Sequence, residues 1–385
     1  MNKIKIVRVT TVPMSLEAFC CGMLKELSRK YEVIALSSPG EEMKIVADRE
    51  GVRTIEVPME RHVAICKDIV ALLKLIVVLF RERPIMVHSM TPKAGLLCMM
   101  AAWVARVPVR VHTFTGLVFP TAKGMTRWIL MATDWLTCAC ATHVIPEGEG
   151  VKNDLLKNRI TKKPMKVLGY GNVRGIDLVR FDRRPEVMAL AQKIRKDDVF
   201  TFVFVGRIVK DKGINELCQT MEMLSGIAPV RLMLVGPYED ELDPVSQHSK
   251  YIINNNPSIE YLGPKYGDEL LVCYAAADCF VFPSYREGFP NTVLEAGAMG
   301  LPSIVTDING SREIIVQGEN GVIIPPKDSD ALYKAMLDMI RNKPARERMS
   351  SNARKMIASR FEQSFVRKCL MDFYDEILEP VKCIC

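Results

Sequence analysis

Two carboxylates, Glu287 and Glu295, bracket a Gly-Phe-Pro turn in the stretch Ser284-Tyr-Arg-Glu-Gly-Phe-Pro-Asn-Thr-Val-Leu-Glu295. The apolar, β-branched run Asp278-Cys-Phe-Val-Phe282 before it predicts a strand. Thr292 to Met299, rich in good helix formers and with Asn291 as a cap, predicts a helix. Glu287 then sits in the loop at the carboxyl end of a strand, and Glu295 about one turn into the helix. The backbone N–H groups at that helix start would welcome an anion, and open α/β sheets bind ligands at such places. A capped helix carrying two solvated acids is the plainer reading.

A second cluster precedes it. Gly206-Arg-Ile-Val-Lys-Asp-Lys-Gly213 lies between a predicted strand and a predicted helix. Arg207 offers a planar fork and Lys212 a mobile point charge, a combination suited to a diphosphate, and glycine lets backbone approach closely. The spacing is not that of a P-loop. No Gly-x-Gly-x-x-Gly opens either half, and Gly169, Gly171 and Gly175 are wrongly spaced, which argues against a nicotinamide dehydrogenase. A solvated turn is the alternative for Arg207 and Lys212.

Positioning these residues requires strands that alternate with helices. Strands are predicted at 4–9, 32–37, 53–57, 85–88, 109–113 and 143–146. Helices are predicted at 16–30, 42–50, 65–82 and 94–106. After Pro185 the pattern repeats, with strands at 199–205, 230–235, 259–262, 280–283, 303–306 and 321–324. The fold class is therefore α/β with parallel βαβ units wound into two domains, as 385 residues also suggest. The expected division is an N-terminal domain over 1–168, a linker over 169–185, a second domain over 186–362, and a terminal helix within 363–385 that could return to the first domain.

Composition narrows the partners. Residues 1–165 hold 24 Lys and Arg against 15 Asp and Glu, whereas the remainder holds 28 against 30. The aromatic-interleaved basic stripe of a nucleic-acid binder is missing, so an anionic membrane surface or an acidic acceptor suits the basic first part better. Ile69 to Phe80 is the most apolar run. It is too short to span a bilayer and reads either as a buried core helix or as a helix in the membrane interface flanked by Lys67, Arg81 and Arg83. No secretory signal is evident at Met1, and the twelve cysteines, including Cys383 and Cys385, read as free thiols of a reducing cytoplasm.

Gly206-Arg207 with Lys212-Gly213, followed by Glu287-Gly288-Phe289-Pro290 and Glu295, resembles the nucleotide-sugar domain of family 4 retaining glycosyltransferases with the GT-B fold, in which two Rossmann-like domains face a central cleft. Leu234-Val-Gly-Pro, Ile259-Glu-Tyr-Leu-Gly263 and Ala276-Ala-Asp-Cys-Phe-Val-Phe-Pro-Ser284 extend the resemblance over the second half. It implies that Arg207 and Lys212 bind the donor diphosphate, that Glu295 holds the ribose hydroxyls and that Glu287 touches the transferred sugar. Backbone N–H groups near Asn291 and Thr292 would reach the phosphates, and Tyr261, Leu262 and Gly263 would flank the base. No metal and no other cofactor is expected. Asp328-Ser-Asp330 imitates a metal-binding pair but precedes a helix and reads as an N-cap.

His88-Ser-Met-Thr-Pro-Lys93-Ala-Gly95 and Arg110-Val-His-Thr-Phe-Thr115-Gly-Leu-Val-Phe119 resemble the acceptor-side loops of capsule and exopolysaccharide members. Thr115 stands where many relatives carry a His before the glycine, and His112 is the candidate for that catalytic imidazole. His88 and His112 also read as strand-end residues with satisfied hydrogen bonds; His62 and His248 carry no signal. The resemblance implies a cytoplasmic enzyme, peripheral on the inner face of the membrane. It would move a sugar from a nucleoside diphosphate, UDP, to a glycan linked to polyprenyl diphosphate, with the donor phosphate taking the acceptor proton. A catalytically silent nucleotide-sugar-binding scaffold and a GT-B sugar epimerase are the other readings.

Overall fold

The computed structural model describes residues 3–60, 64–241 and 243–382. The chain forms two compact units, Met1–Gly175 with Ser364–Cys385, and Ile176–Gln363. The division falls inside the glycine-rich segment 169–185, where Gly169, Gly171 and Gly175 all take positive φ.

In the first unit the elements run β1 (Lys5–Val9), α1 (Pro13–Cys20), α2 (Met23–Ser28), β2 (Glu32–Ser37), α3 (Glu42–Glu50), β3 (Arg53–Glu56), α4 (Ile65–Glu82), β4 (Met86–Ser89), α5 (Pro92–Val104), β5 (Val109–Phe114), α6 (Gly124–Cys140), β6 (His143–Pro146) and α7 (Glu149–Lys157). The strands form one parallel sheet in the order β3-β2-β1-β4-β5-β6. Both faces are covered, which is why its central strands read as continuous apolar runs. On one face α4, α5 and α6 supply Leu75, Leu79, Cys98, Ala102 and Cys138 to the core. On the other lie α1, α2 and α3.

The single helix expected over 16–30 is two. Gly22 takes φ +72° between α1 and α2, and its N–H and that of Lys25 donate to the buried Glu50 carboxylate at 2.8 and 3.0 Å. A buried anion at a helix N-terminus satisfies donors that have no partner within the helix.

In the second unit follow α8 (Pro185–Ile194), β7 (Phe200–Val205), α9 (Ile214–Ser225), β8 (Val230–Val235), α10 (Gln247–Asn255), β9 (Ile259–Gly263), α11 (Gly267–Ala276), β10 (Cys279–Phe282), α12 (Asn291–Ala298), β11 (Ser303–Thr306), α13 (Ser311–Ile314), β12 (Gly321–Ile324), α14 (Ser329–Arg341) and α15 (Lys343–Phe361). Its sheet is also parallel, in the order β12-β11-β10-β7-β8-β9. As expected of a cap, the Asp328 carboxylate accepts from the Ala331 N–H at 2.8 Å and starts α14. The terminal α16 (Gln363–Lys382) returns to the first unit and places Phe373, Tyr374 and Leu378 in the core beside α1–α3.

The reading of 69–80 as a core helix is corrected. Only Ala71, Leu75 and Leu79 of α4 are buried, while Ile69, Leu73, Val77 and Phe80 are exposed. Among the described residues no helix is long and apolar enough to cross a membrane. The described cysteines are free thiols, mostly buried, with Cys66 exposed; Cys383 and Cys385 lie outside the described residues.

Candidate functional site

Each sheet has one point where strand order reverses: between β1 and β4 in the first unit, and between β10 and β7 in the second. At such a point the connections leave in opposite directions and open a crevice at the carboxyl strand ends. Arg207 and Lys212 follow β7, and Glu287 follows β10, so the second crevice is lined by these three residues. Lys212 ends a short 3-10 turn, Lys210–Lys212. Gly213 then adopts φ +72°, and a Cβ there would lie 2.1 Å from the Pro283 carbonyl oxygen. Only glycine lets the start of α9 pass that close to the β10 loop.

The two loops are stitched together. The Lys212 ammonium pairs with Glu287 Oε1, which also accepts from Ser284 Oγ at 2.9 Å. The Tyr285 N–H donates to the Asp211 carbonyl at 2.8 Å, and its hydroxyl donates to the Glu216 carboxylate at 2.6 Å. Arg286 pairs with Asp211 at 3.1 Å. Arg207 pairs with Glu239 at 2.6 Å, on the loop after β8. Burial opposes the Arg207 charge, but the Glu239 hydrogen bond and neighbouring carboxylates outweigh it and hold the guanidinium above its usual range. Both basic residues thus have carboxylate partners that a diphosphate would exchange with. Glu239→Gln should therefore lower the donor KM about two- to fivefold with kcat unchanged, a half-buried pair still open to solvent being worth about 0.2–1 kcal/mol. Steady-state kinetics against donor concentration check it; a raised KM would show that Glu239 itself contacts the donor.

Asn291 is the first residue of α12 and not its cap; Pro290 holds that position with extended φ/ψ and no side-chain bond. The N–H groups of Asn291 and Thr292 belong to the first turn of α12. Gly288 and Phe289 form the turn before it. Phe289 is buried, edge-on to Phe361 at 5.4 Å. Glu295 is buried and accepts from the Tyr274 hydroxyl at 3.0 Å. Burial, then the Glu295 charge, push Tyr274 well above its ordinary range, so it stays a donor that orients the carboxylate. At the end of β9, Tyr261 packs on Tyr238 with ring centroids 4.9 Å apart; Leu262 is half-buried beside it, and Gly236 N–H donates to the Gly263 carbonyl at 2.9 Å. Gly206 N–H donates to the Val235 carbonyl at 2.9 Å, tying the loops after β7 and β8 together.

Sequence reasoning missed Glu239, Tyr274 and Tyr238. Tyr274 left a usable signal: a tyrosine on the apolar face of a helix needs a polar partner when buried. Glu239 left none.

In the first unit, the candidate imidazoles lie in the core. His88 is buried, with Nδ1 2.8 Å from Arg8 Nη1 and Nε2 2.7 Å from Thr113 Oγ1. A guanidinium only donates, so Nδ1 accepts and Nε2–H donates to Thr113. Tyr374 from α16 closes this network at 2.5 Å from both Arg8 and His88. His112 Nδ1 lies 2.8 Å from Ser89 Oγ, and its ring underlies Gly95, where a Cβ would come within 2.4 Å of it. Burial lowers the pKa of His112 to about 3 and that of His88 well below its ordinary value. His112 is therefore neutral and lies in the core of the first unit. His62 lies outside the described residues, and His248 is exposed beside Glu222.

The crevice at β1 and β4 instead collects hydroxyls and one cation. Thr11 Oγ1 and Thr91 Oγ1 are 2.7 Å apart, and Thr11 Oγ1 accepts from Ala94 N–H at 3.1 Å. Thr115 donates to the Met90 carbonyl at 3.0 Å. Lys93, in the first turn of α5, pairs with both oxygens of Asp68 at 2.8 and 3.0 Å. Among the described residues no group of three or more His, Cys, Asp or Glu is placed to hold a metal ion.

Residues 189–356 match the family described as "Glycosyl transferases group 1", and residues 17–171 match the "Glycosyl transferase 4-like domain". The chain is 32% identical to the capsular polysaccharide biosynthesis glycosyltransferase CapM of Staphylococcus aureus, over 98% of this chain and 99% of that protein. It is 26% identical to the UDP-Gal:alpha-D-GlcNAc-diphosphoundecaprenol alpha-1,3-galactosyltransferase of Escherichia coli, over 94% of each. Among solved structures, Anabaena Alr3699/HepE in complex with UDP and glucose superposes with a TM-score of 0.81 at 18% identity, over 97% of this chain and 100% of that one. That likeness shows the fold, two Rossmann-like domains of the GT-B class.

Proposed function

As the chain belongs to the group 1 glycosyltransferases, we propose that it moves a sugar from a UDP-linked donor to a lipid-diphosphate-linked glycan in the assembly of a bacterial surface polysaccharide. The observation that carries this reading is the convergence of Arg207, Lys212, Glu287 and the α12 N-terminus on the β7/β10 crevice. The CapM relative supports the polysaccharide, and the galactosyltransferase relative supports both the UDP donor and the lipid-linked acceptor.

In this reading Arg207 and Lys212 bind the diphosphate, and their charges offset the one that builds on the leaving group. Glu295, oriented by Tyr274, holds the ribose hydroxyls; Glu287 meets the sugar. Tyr261 and Tyr238 flank the base. The bond from the anomeric carbon to the phosphate oxygen breaks, the acceptor oxygen bonds that carbon from the same face, and its proton passes to the departing phosphate. The first unit contributes Thr11, Thr91, Lys93 and Thr115 on the acceptor side. No metal is needed for these steps because two fixed cations neutralise the leaving group. The enzyme works at the inner face of the cytoplasmic membrane, where a lipid-linked acceptor is presented, and nucleic acid is not a partner.

The test is a panel of nucleotide sugars with a polyprenyl-diphosphate glycan. One donor should release UDP in proportion to extended glycan, and excess EDTA should leave the rate unchanged. UDP release without glycan extension under every donor would overturn the transferase assignment, and loss of rate in EDTA would overturn the metal-free one.

A further inference from the structure

All three tryptophans of the chain, Trp103, Trp128 and Trp135, lie on α5 and α6 and are 61%, 68% and 55% exposed. They belong to a larger apolar face. On α6 the exposed residues Met125, Trp128, Ile129 and Trp135 follow helical spacing, with Ala132 and Ala139 between and beyond them. On α4, Ile65, Ile69, Leu73, Val77 and Phe80 recur every three or four residues and are exposed too. The inner sides of the same helices carry the core, through Leu75, Ala102 and Cys138. A groove of about 350 Å³, lined by Leu72, Met100, Trp103 and Leu136 among others, joins the outer faces of α4, α5 and α6. Contiguous apolar surface on this scale marks an interaction site.

Charge identifies the partner. Between Ile65 and Pro146 the chain carries nine Lys and Arg and three acids, of which Asp68 and Glu82 pair with Lys93 and Arg53 and the third is Asp134. Lys74, Arg81, Arg83, Arg106 and Lys123 are exposed on or at the ends of these three helices. Asp134 is half-buried, and burial pushes its carboxyl up to about 7. A two-fold contact between copies would set this basic rim against itself. An anionic lipid surface attracts it instead, and tryptophan side chains favour the level of the headgroups.

We propose that the outer faces of α4, α5 and α6 dock the protein onto an anionic phospholipid leaflet, with Trp103, Trp128 and Trp135 entering the headgroup region. The proposal rests on the reading of a lipid-linked acceptor, which gives the enzyme its reason to be at a bilayer. It names the docking face, which includes α6, a helix absent from the strand and helix pattern read in the sequence.

Because no tryptophan lies elsewhere, the wild-type protein reports on this face directly. Mixed with vesicles containing phosphatidylglycerol at low salt, it should co-float, its emission should shift to the blue, and brominated acyl chains should quench it. Neutral phosphatidylcholine vesicles or high salt should weaken all three signals. Trp128→Ser with Trp135→Ser, both on exposed positions, should lower partitioning at least about tenfold while UDP release with a water-soluble acceptor is retained. Lys74→Glu with Arg81→Glu should do the same without touching an aromatic side chain. Absence of quenching in the wild type, undiminished flotation of both double variants, or a dimer in solution dissolved by the tryptophan substitutions would overturn the docking surface. Docking without UDP release under any donor would overturn the transferase reading and leave the docking surface standing.

Discussion

Lys212→Ala and Arg207→Ala are each expected to lower kcat by about 10²–10³-fold, the cost of removing one preorganised group from a developing oxyanion. The effect should fall on kcat more than on donor KM, because the negative charge on the diphosphate oxygens grows as the bond to the sugar breaks. Neither side chain holds up the fold. Lys212 pairs with Glu287, which keeps its Ser284 hydrogen bond when the lysine is gone, and Arg207 pairs with the half-buried Glu239. Melting curves close to wild type should accompany the loss of rate. Turnover within about threefold of wild type in both variants would show that the β7/β10 crevice is not where the donor phosphates leave. Glu287→Ala separates the roles further: it frees the lysine and removes the sugar contact, so its rate should also fall while UDP still binds.

Acid should destabilise the first unit through its buried imidazoles. In the folded protein His112 has its pKa lowered to about 3, and His88 is lowered in the same direction. The unfolded chain takes up these protons near the ordinary value of 6.5. The unfolded state therefore binds more protons below that value. Stability is fully present above it and is lost as pH falls towards the folded value. At about pH 5 the His112 proton alone corresponds to about 2 kcal/mol. His112→Gln, which can still reach Ser89, should start from a lower melting temperature at pH 7.5 but lose less of it on acidification. If the wild-type and variant melting temperatures fall in parallel between pH 7 and 5, His112 is not a source of the acid sensitivity.

The alternation of strands and helices was legible because each sheet is parallel and buried on both faces, which forces short continuous apolar runs such as Val33 to Leu36 and Phe280 to Phe282. The residues proposed for the donor site were legible for a related reason. Arg207, Lys212 and Glu287 sit in loops at strand ends and Glu295 one turn into the helix that follows, where residue type is set by chemistry more than by packing. Elsewhere the sequence carried a pattern that admitted two meanings. The apolar run of α4 fits a core helix as well as a half-exposed one, and only the packing of Leu75 and Leu79 into the core shared with Val7 and Val87 decides which side is buried. The α6 segment has the same ambiguity, being apolar on both sides, with Cys138 facing in and Trp128 facing out.

By itself, the sequence determined the two wound halves, the family resemblance and the two basic and two acidic residues proposed for the donor site, because local periodicity and loop chemistry are written in consecutive residues. Tertiary structure alone decided three other things. It sealed His88 and His112 into the core, set Glu239 against Arg207 and Tyr274 beneath Glu295, and gathered three distant tryptophans on one surface. Each of these depends on which strands lie side by side and which helix face meets the sheet, and contacts between residues 21 to 366 positions apart leave no periodic trace in the chain.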